Sequence, residues 1–276
     1  MLESFTGTSG ASARARLSSF GLTPDATSVY LLGATVLKVS PPTFPNVIRD
    51  MTKKAKQARE ILGDELGRVI PRPLGEWDMD GVSCALFEEL SPISSTRIKR
   101  IVQLNRIKSA VLRWLREVVK IDRGVNCQAE TCLRALSECP YRSFQFPAES
   151  ALARLTAGDF VARSTVMHSD LWIGNILLDP LGTREFVVID WRGSSVNGFP
   201  IFDLVKFAAS ARLSRSILRA ELVAHAKLLG CDLQDTRSYL LAALGHVWLS
   251  LDQFPPDRFA AMAAESLQTL EFALDG

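Results

Sequence analysis

The sequence predicts an α+β chain in two lobes: a small β-rich lobe with one helix over residues 1–90, then a larger, mainly helical lobe over 91–276. Three observations predict it. Strand-like runs are concentrated before Leu90, apolar residues recur at helical spacing from Ser95 onward, and two short strand-like runs interrupt the helices between Asn175 and Asp190. A chain of 276 residues is long enough to bury a sizeable core in such an arrangement.

The elements follow in order. Ala13–Phe20 alternates loosely and reads as a first strand. Thr27–Leu32 and Thr35–Val39 are β-rich runs joined by a Gly33-Ala34 hairpin turn. The prolines at 41, 42 and 45 stop that pattern, because proline cannot donate to a ladder. Asp50–Leu66 has helical composition and closes at Pro71-Arg72-Pro73. Val82–Leu90 reads as another strand, and a linker is expected over Glu88–Pro92. Ile98, Ile101, Val102, Ile107, Val111, Leu112, Leu115, Val118 and Val119 then mark one long helix with a basic opposite face. Val125–Phe146 gives no clear period. Asn175–Asp179 and Phe186–Asp190 read as a strand pair around the turn Pro180–Thr183, and about four helices follow Pro200, among them Phe202–Leu213 and Leu233–Leu251.

Composition bounds the function. With 47% hydrophobic and 22% charged residues the chain is of ordinary globular type, and a net charge of +2 does not point to nucleic acid or an anionic membrane. Five cysteines without a C-x-x-C pair argue against a zinc site and for reduced thiols. Met1–Ala15 lacks the apolar core of a secretory signal, and no apolar run is long enough to span a bilayer. A cytoplasmic location is the expectation.

The chemistry is concentrated in Val166–Asp190. Strand pairing places Asn175, at the start of one strand, beside Asp190, at the end of its antiparallel partner. Asp170 sits in the loop that feeds this hairpin, so two carboxylates and an amide are expected at one point. Phosphoryl transfer wants such a set. Magnesium takes hard oxygen ligands, which Asp190 and the Asn175 side-chain carbonyl supply. An unliganded carboxylate, Asp170, can orient an acceptor hydroxyl and take its proton.

His168-Ser169-Asp170 with Asn175, the strand ending Ile189-Asp190-Trp191, and Gly198-Phe199-Pro200-Ile201-Phe202-Asp203-Leu204 together resemble the aminoglycoside phosphotransferase and choline kinase family. The resemblance implies a protein-kinase-like bilobal fold, ATP and magnesium as cofactors, and a small-molecule hydroxyl acceptor, with no nucleic-acid or membrane partner. It implies Asp170 and Asn175 as catalytic residues and Asn175 and Asp190 as metal ligands. Asp203 becomes a brace of the catalytic loop, and His168 a packing residue. In the front half it assigns Lys38 to the α- and β-phosphates and Glu60 to orienting that lysine, with Glu65 as the alternative. Gly21 falls in the phosphate-covering loop Ser19–Ser28, and the backbone of Glu88, Glu89 and Leu90 reads adenine. Trp172 is expected beneath the loop, His225 and His246 in structural roles, and the basic residues from Arg97 to Arg116 in solvent.

The expected activity is therefore transfer of the γ-phosphoryl group to a small metabolite, for instance a sugar or glycan precursor. Three alternatives compete. Aminoglycoside modification would favour an acidic acceptor cleft, and residues 200–276 show no such bias. A protein kinase needs an activation loop, for which the stretch between Asp190 and Asp203 is too short. A nucleotide-binding scaffold without activity is recognised by loss of the lysine, the base or a metal ligand, yet Lys38, Asp170, Asn175 and Asp190 are all present.

Overall fold

The structure, a computed structural model, describes residues 27–251 and 254–275. The expected strand Ala13–Phe20 and Gly21 lie outside the described residues. Packing divides the chain into two compact units. One holds the described residues up to Thr52 together with Pro71–Glu89, the other Lys53–Ile70 and everything from Leu90 onward.

The first unit is a four-stranded antiparallel sheet of order β1-β2-β4-β3, built from β1 (Ser28–Leu32), β2 (Thr35–Val39), β3 (Gly75–Met79) and β4 (Val82–Glu88). The Gly33-Ala34 turn joins β1 to β2, and the Leu32–Thr35 pair closes it. Strand β3 was not expected. Its signal is the dipeptide Asp80-Gly81, both residues at positive φ (52° and 80°), which suits a two-residue hairpin turn. Ile48 and Met51 from the start of α1 (Val47–Gly67) pack with Ala85 and Phe87 of β4. The hydroxyl of Ser40 accepts a hydrogen bond from the Ile48 amide at 3.0 Å, near the start of this helix.

Helix α1 spans the boundary between the units. Ala55, Ala58 and Leu62 belong to the core of the second unit, so Lys53–Ile70 packs there although the sequence expectation places it with residues 1–90. The helix breaks at Gly63 (φ 70°, ψ −178°), which separates Glu60 from Glu65.

The second unit is helical around one large core. It contains α2 (Arg97–Lys120), α3 (Ala129–Ser137), α4 (Arg142–Ala157), α5 (Phe202–Ala211), α6 (Arg215–Leu229), α7 (Asp235–Leu249) and α8 (Pro256–Leu274). The segment without a clear period, Val125–Phe146, contains α3 and the start of α4. Helix α4 carries Pro147 within its span, a residue that weakens any sequence-based expectation of a helix. Helix α7 is apolar on nearly all sides, and a Cβ on its Gly245 would lie 2.0 Å from the Cys132 carbonyl oxygen, so glycine permits the close approach of α3 and α7. Two small two-stranded sheets complete the unit: β5 (Thr165–Met167) with β8 (Ser195–Gly198), and β6 (Ile176–Leu177) with β7 (Val187–Val188). The basic face of α2 is only partly solvated. Arg113 pairs with Glu185 at 2.5 Å, and Arg116 pairs with the buried Glu221 at 2.9 Å. All five cysteines are free thiols, and no described helix is long and apolar enough to cross a membrane.

Candidate active site

The loop that leaves β5 carries His168, Ser169 and Asp170, and buried groups fix its path. Asp203, in the first turn of α5, accepts hydrogen bonds from the amides of His168 (2.6 Å) and Ser169 (3.0 Å). These bonds hold Ser169 at φ 70°, a left-handed conformation that a serine adopts only when its surroundings impose it. Burial pushes the Asp203 carboxyl up to about 7, against the pull of the two amides and of Lys206. His168 is buried as well. Its Nε2 donates to the Ile189 carbonyl at 2.9 Å, and its Nδ1 accepts from the Asp170 amide at 3.2 Å. That pattern uses both nitrogens of a neutral ring, and burial accordingly holds the imidazole down at about 4 although Asp190 favours its charge. The Trp191 indole packs edge-on against this ring at 4.7 Å and donates to the Val188 carbonyl at 2.8 Å.

On this buried tier stands an outer one. A 3₁₀ turn over Ile173–Asn175 leads into β6, and the Ile189 amide donates to the Asn175 carbonyl at 2.9 Å, extending the β6–β7 pairing. Asn175 is buried, and its amide nitrogen donates to both the carbonyl (2.9 Å) and the carboxylate (3.0 Å) of Asp170. The side-chain oxygen of Asn175 is left on the other branch of the amide. Asp190 follows β7 at φ 66° and ψ 61°, with its side chain exposed. The hairpin thus brings Asp170, Asn175 and Asp190 together, as the pairing argument requires.

Asp170 opens onto a pocket of about 340 Å³ whose walls include Trp172, Lys206, Ser210 and Glu265. Its side chain is open to solvent at the pocket, yet the surrounding protein displaces enough water to push its carboxyl up to about 6. The Lys206 charge pulls it down, Asp190 pushes it further up, and hydrogen bonding from Asn175 and Trp172 opposes the rise. Trp172 does not lie beneath the loop. It is 44% exposed, and its ring lies against Gly174, where a Cβ would come within 2.2 Å of it. With no side chain at 174, the ring rests on the backbone and faces the pocket instead of the core. Lys206 and Glu265 were not found from the sequence. Lys206 follows Asp203 by one helical turn, which was a usable signal; Glu265 lies on α8, whose packing against α5 no local pattern announces.

The remaining expected residues occupy the elements anticipated for them. Lys38 sits mid-strand in β2, opposite Val29 and Ala85, with its ammonium 5.9 Å above the Phe87 ring. Glu88 ends β4, and the Glu89 amide donates to the Ala34 carbonyl at 2.9 Å, so that amide is spent within its own unit. Leu90 begins the second unit. Glu60 and Glu65 are both exposed on α1. His225 bonds the Glu221 carbonyl at 2.8 Å and is buried, and His246 is held below its ordinary pKa by partial burial; both are structural.

Could this site hold a metal? Among the described residues, no three His, Cys, Asp or Glu side chains gather as a metal cluster. One carboxylate and one amide oxygen make an incomplete oxygen set. Such a set suits magnesium, which keeps waters and takes phosphate oxygens, and does not suit zinc.

The fold is of the kinase-like class. Residues 98–239 match the model of the phosphotransferase enzyme family, APH, over just over half of the chain, and the chain belongs to that family. Among solved structures it is similar to a thermostable mutant of aminoglycoside phosphotransferase APH(4)-Ia, with 15% identity, a TM-score of 0.61, and coverage of 98% of this chain and 97% of the other. The choline kinase LicA from Streptococcus pneumoniae follows at 16% identity, a TM-score of 0.56 and 93% of each chain. A choline/ethanolamine kinase family protein from Mesorhizobium loti shares 14% identity, with a TM-score of 0.55 over 96% and 90% of the two chains. Likeness at this level of identity establishes the fold. Among curated proteins, none matches the sequence.

Proposed function

We propose that the chain transfers the γ-phosphoryl group of ATP to the hydroxyl of a small metabolite, with Asp170 as the base. The observation that carries this reading is the double hydrogen bond from Asn175 to Asp170. It fixes the carboxylate next to the hairpin end that presents Asp190, and it leaves the Asn175 oxygen for a cation. Asn175 and Asp190 would hold magnesium, which would supply positive charge against the phosphate oxygens. Lys38 would serve the α- and β-phosphates. With the Glu89 amide spent, adenine is read by the Leu90 amide and neighbouring carbonyls.

Asp170 accepts a hydrogen bond from the acceptor hydroxyl and holds it in line with the γ-phosphorus. The acceptor oxygen forms a bond to that phosphorus while the bond to the β,γ-bridging oxygen breaks. The bonding pair leaves with ADP, and the hydroxyl proton passes to Asp170 and then to water. A carboxyl raised to about 6 is a stronger base than an ordinary aspartate yet still ionised at neutral pH.

The test is magnesium-dependent ATP consumption across sugars, amino alcohols, hydroxy acids, nucleosides and aminoglycosides. At least one class is expected to turn over. Tight ATP binding with no turnover of any acceptor would identify a scaffold instead.

A further inference from the structure

A second, smaller cavity adjoins the Asp203 brace inside the second unit. It has a volume of about 20 Å³ and is walled in part by Val118 of α2, Val166 of β5 and Leu204 of α5, with three polar residues among these apolar ones: Thr165, Asp203 and His225. All three are buried. A space of this size is too small for a substrate or a cofactor. It suits one water, which needs about 10–15 Å³ and two to four polar partners.

The partners are present. The Thr165 hydroxyl oxygen is buried and has no hydrogen-bond partner among the described residues. A hydroxyl buried in that way would give up its bonds to solvent without replacement. His225 makes one ring bond, from Nδ1 to the Glu221 carbonyl at 2.8 Å. A carbonyl only accepts, so Nδ1 carries the proton, and burial keeps the ring neutral by holding it down at about 4. Nε2 is therefore an acceptor, and no described residue donates to it. Asp203 accepts one amide at each oxygen and keeps further lone pairs. A hydroxyl donor, a ring acceptor and a carboxylate acceptor together match the bonding of one water.

The placement gives that water a task. Thr165 opens β5, the strand that runs into the His168–Asp170 loop, and Asp203 holds the loop through two amides. His225 belongs to α6, which Glu221 ties to Arg116 of α2 at 2.9 Å. Burial pushes the Asp203 carboxyl up to about 7, and a protonated carboxyl is a poorer acceptor for two amides than a carboxylate. A further donor in the cavity favours the charged form.

We propose that this cavity is a water site in which one water accepts from the Thr165 hydroxyl and donates to His225 Nε2 and to the Asp203 carboxylate. Thr165 and His225 are then positioning residues, acting on the Asp170 loop through Asp203.

The experiment uses the full chain without nucleotide. A crystal structure that resolves ordered waters should show a single density peak within hydrogen-bond distance of Thr165 Oγ1, His225 Nε2 and an Asp203 carboxylate oxygen. Thr165→Val keeps the shape and removes the donor, and should lower the melting temperature by about 2–4 °C. Amide exchange followed by NMR reads the brace itself. In Thr165→Val, exchange at His168 and Ser169 should quicken by roughly fivefold beyond any change in the core of α7, and Thr165→Ser, which keeps the hydroxyl, should restore that ratio. His225→Phe keeps a ring without an acceptor and should reproduce the effect, and the double variant should go no further than either alone. A cavity without the density peak overturns the proposal. So does a Thr165→Val melting temperature equal to or above wild type, the result of removing an unpaired hydroxyl. Exchange that quickens equally in the loop and in α7 overturns it as well. None of these outcomes depends on Asp170 being the base, so the kinase reading stands or falls separately.

Discussion

Two tiers of the second unit use the same residue types in opposite ways. In the inner tier, Asp203 and His168 are buried and every hydrogen-bonding atom described is engaged, by two amides for the carboxylate and by a carbonyl and an amide for the ring. In the outer tier, Asp170 and Asp190 are exposed, and Asp170 takes side-chain hydrogen bonds from Asn175 and Trp172. The inner tier uses hydrogen bonds to fix a backbone, and the outer tier keeps oxygens available for chemistry. An aspartate's role here follows from whether its oxygens are already occupied.

The comparison is broken most severely at the outer tier. Asp170→Ala should lower turnover by about 10²–10⁴-fold, the range for loss of a general base, while thermal unfolding stays close to wild type because the side chain is exposed. Full turnover in that variant removes Asp170 from the mechanism.

At the inner tier the order of effects reverses. Asp203→Ala leaves two amides beside a cavity with no acceptor, at a cost of about 1–3 kcal/mol for each unsatisfied group. The melting temperature should fall first, and activity should fall with it as Ser169 leaves its left-handed conformation. If Asp203→Ala melts like wild type, the brace is not what holds the loop.

A subtler change sharpens the link between the tiers. Asp170 must be ionised to act as a base, so turnover should fall as pH drops through about 6. Lys206 favours the ionised form, and its removal disfavours it. In Lys206→Met the acid limb of the pH profile should therefore move to higher pH. An unmoved limb would mean that the lysine charge does not reach Asp170.

Much of this was legible in the sequence because the site is local. His168, Asp170, Asn175 and Asp190 lie within one hairpin and its feeding loop, and the pairing rule alone places Asn175 beside Asp190. The strands β1, β2 and β4 and the long helix α2 were legible from β-rich content and helical periodicity. Strand β3 was missed because Gly75–Met79 mixes acidic and apolar residues, although Asp80-Gly81 marked its turn. Helix α3 was missed although Ala129, Cys132, Leu133 and Leu136 are buried at helical spacing, because it is only nine residues long, and α4 was hidden by Pro147. The pocket wall was least legible of all. Glu265 reaches the site only because α8 packs on α5, and the outward turn of Trp172 depends on a glycine two residues later.

That glycine gives the smallest and most local test of the outer tier. Gly174 precedes Asn175 in the 3₁₀ turn, and an added Cβ would stand 2.2 Å from the Trp172 ring, far inside contact distance. The ring is exposed at the pocket and can swing away, so Gly174→Ala should cost little stability. Displacing it removes the apolar wall while the backbone bonds that position Asp170 and Asn175 remain. The expected result is a KM for the acceptor raised several-fold with kcat nearly unchanged, the mark of lost binding shared by ground and transition states. A drop in kcat at constant KM would instead show that the turn itself moved, and that Trp172 and the Asn175–Asp170 bond are coupled through the turn between them.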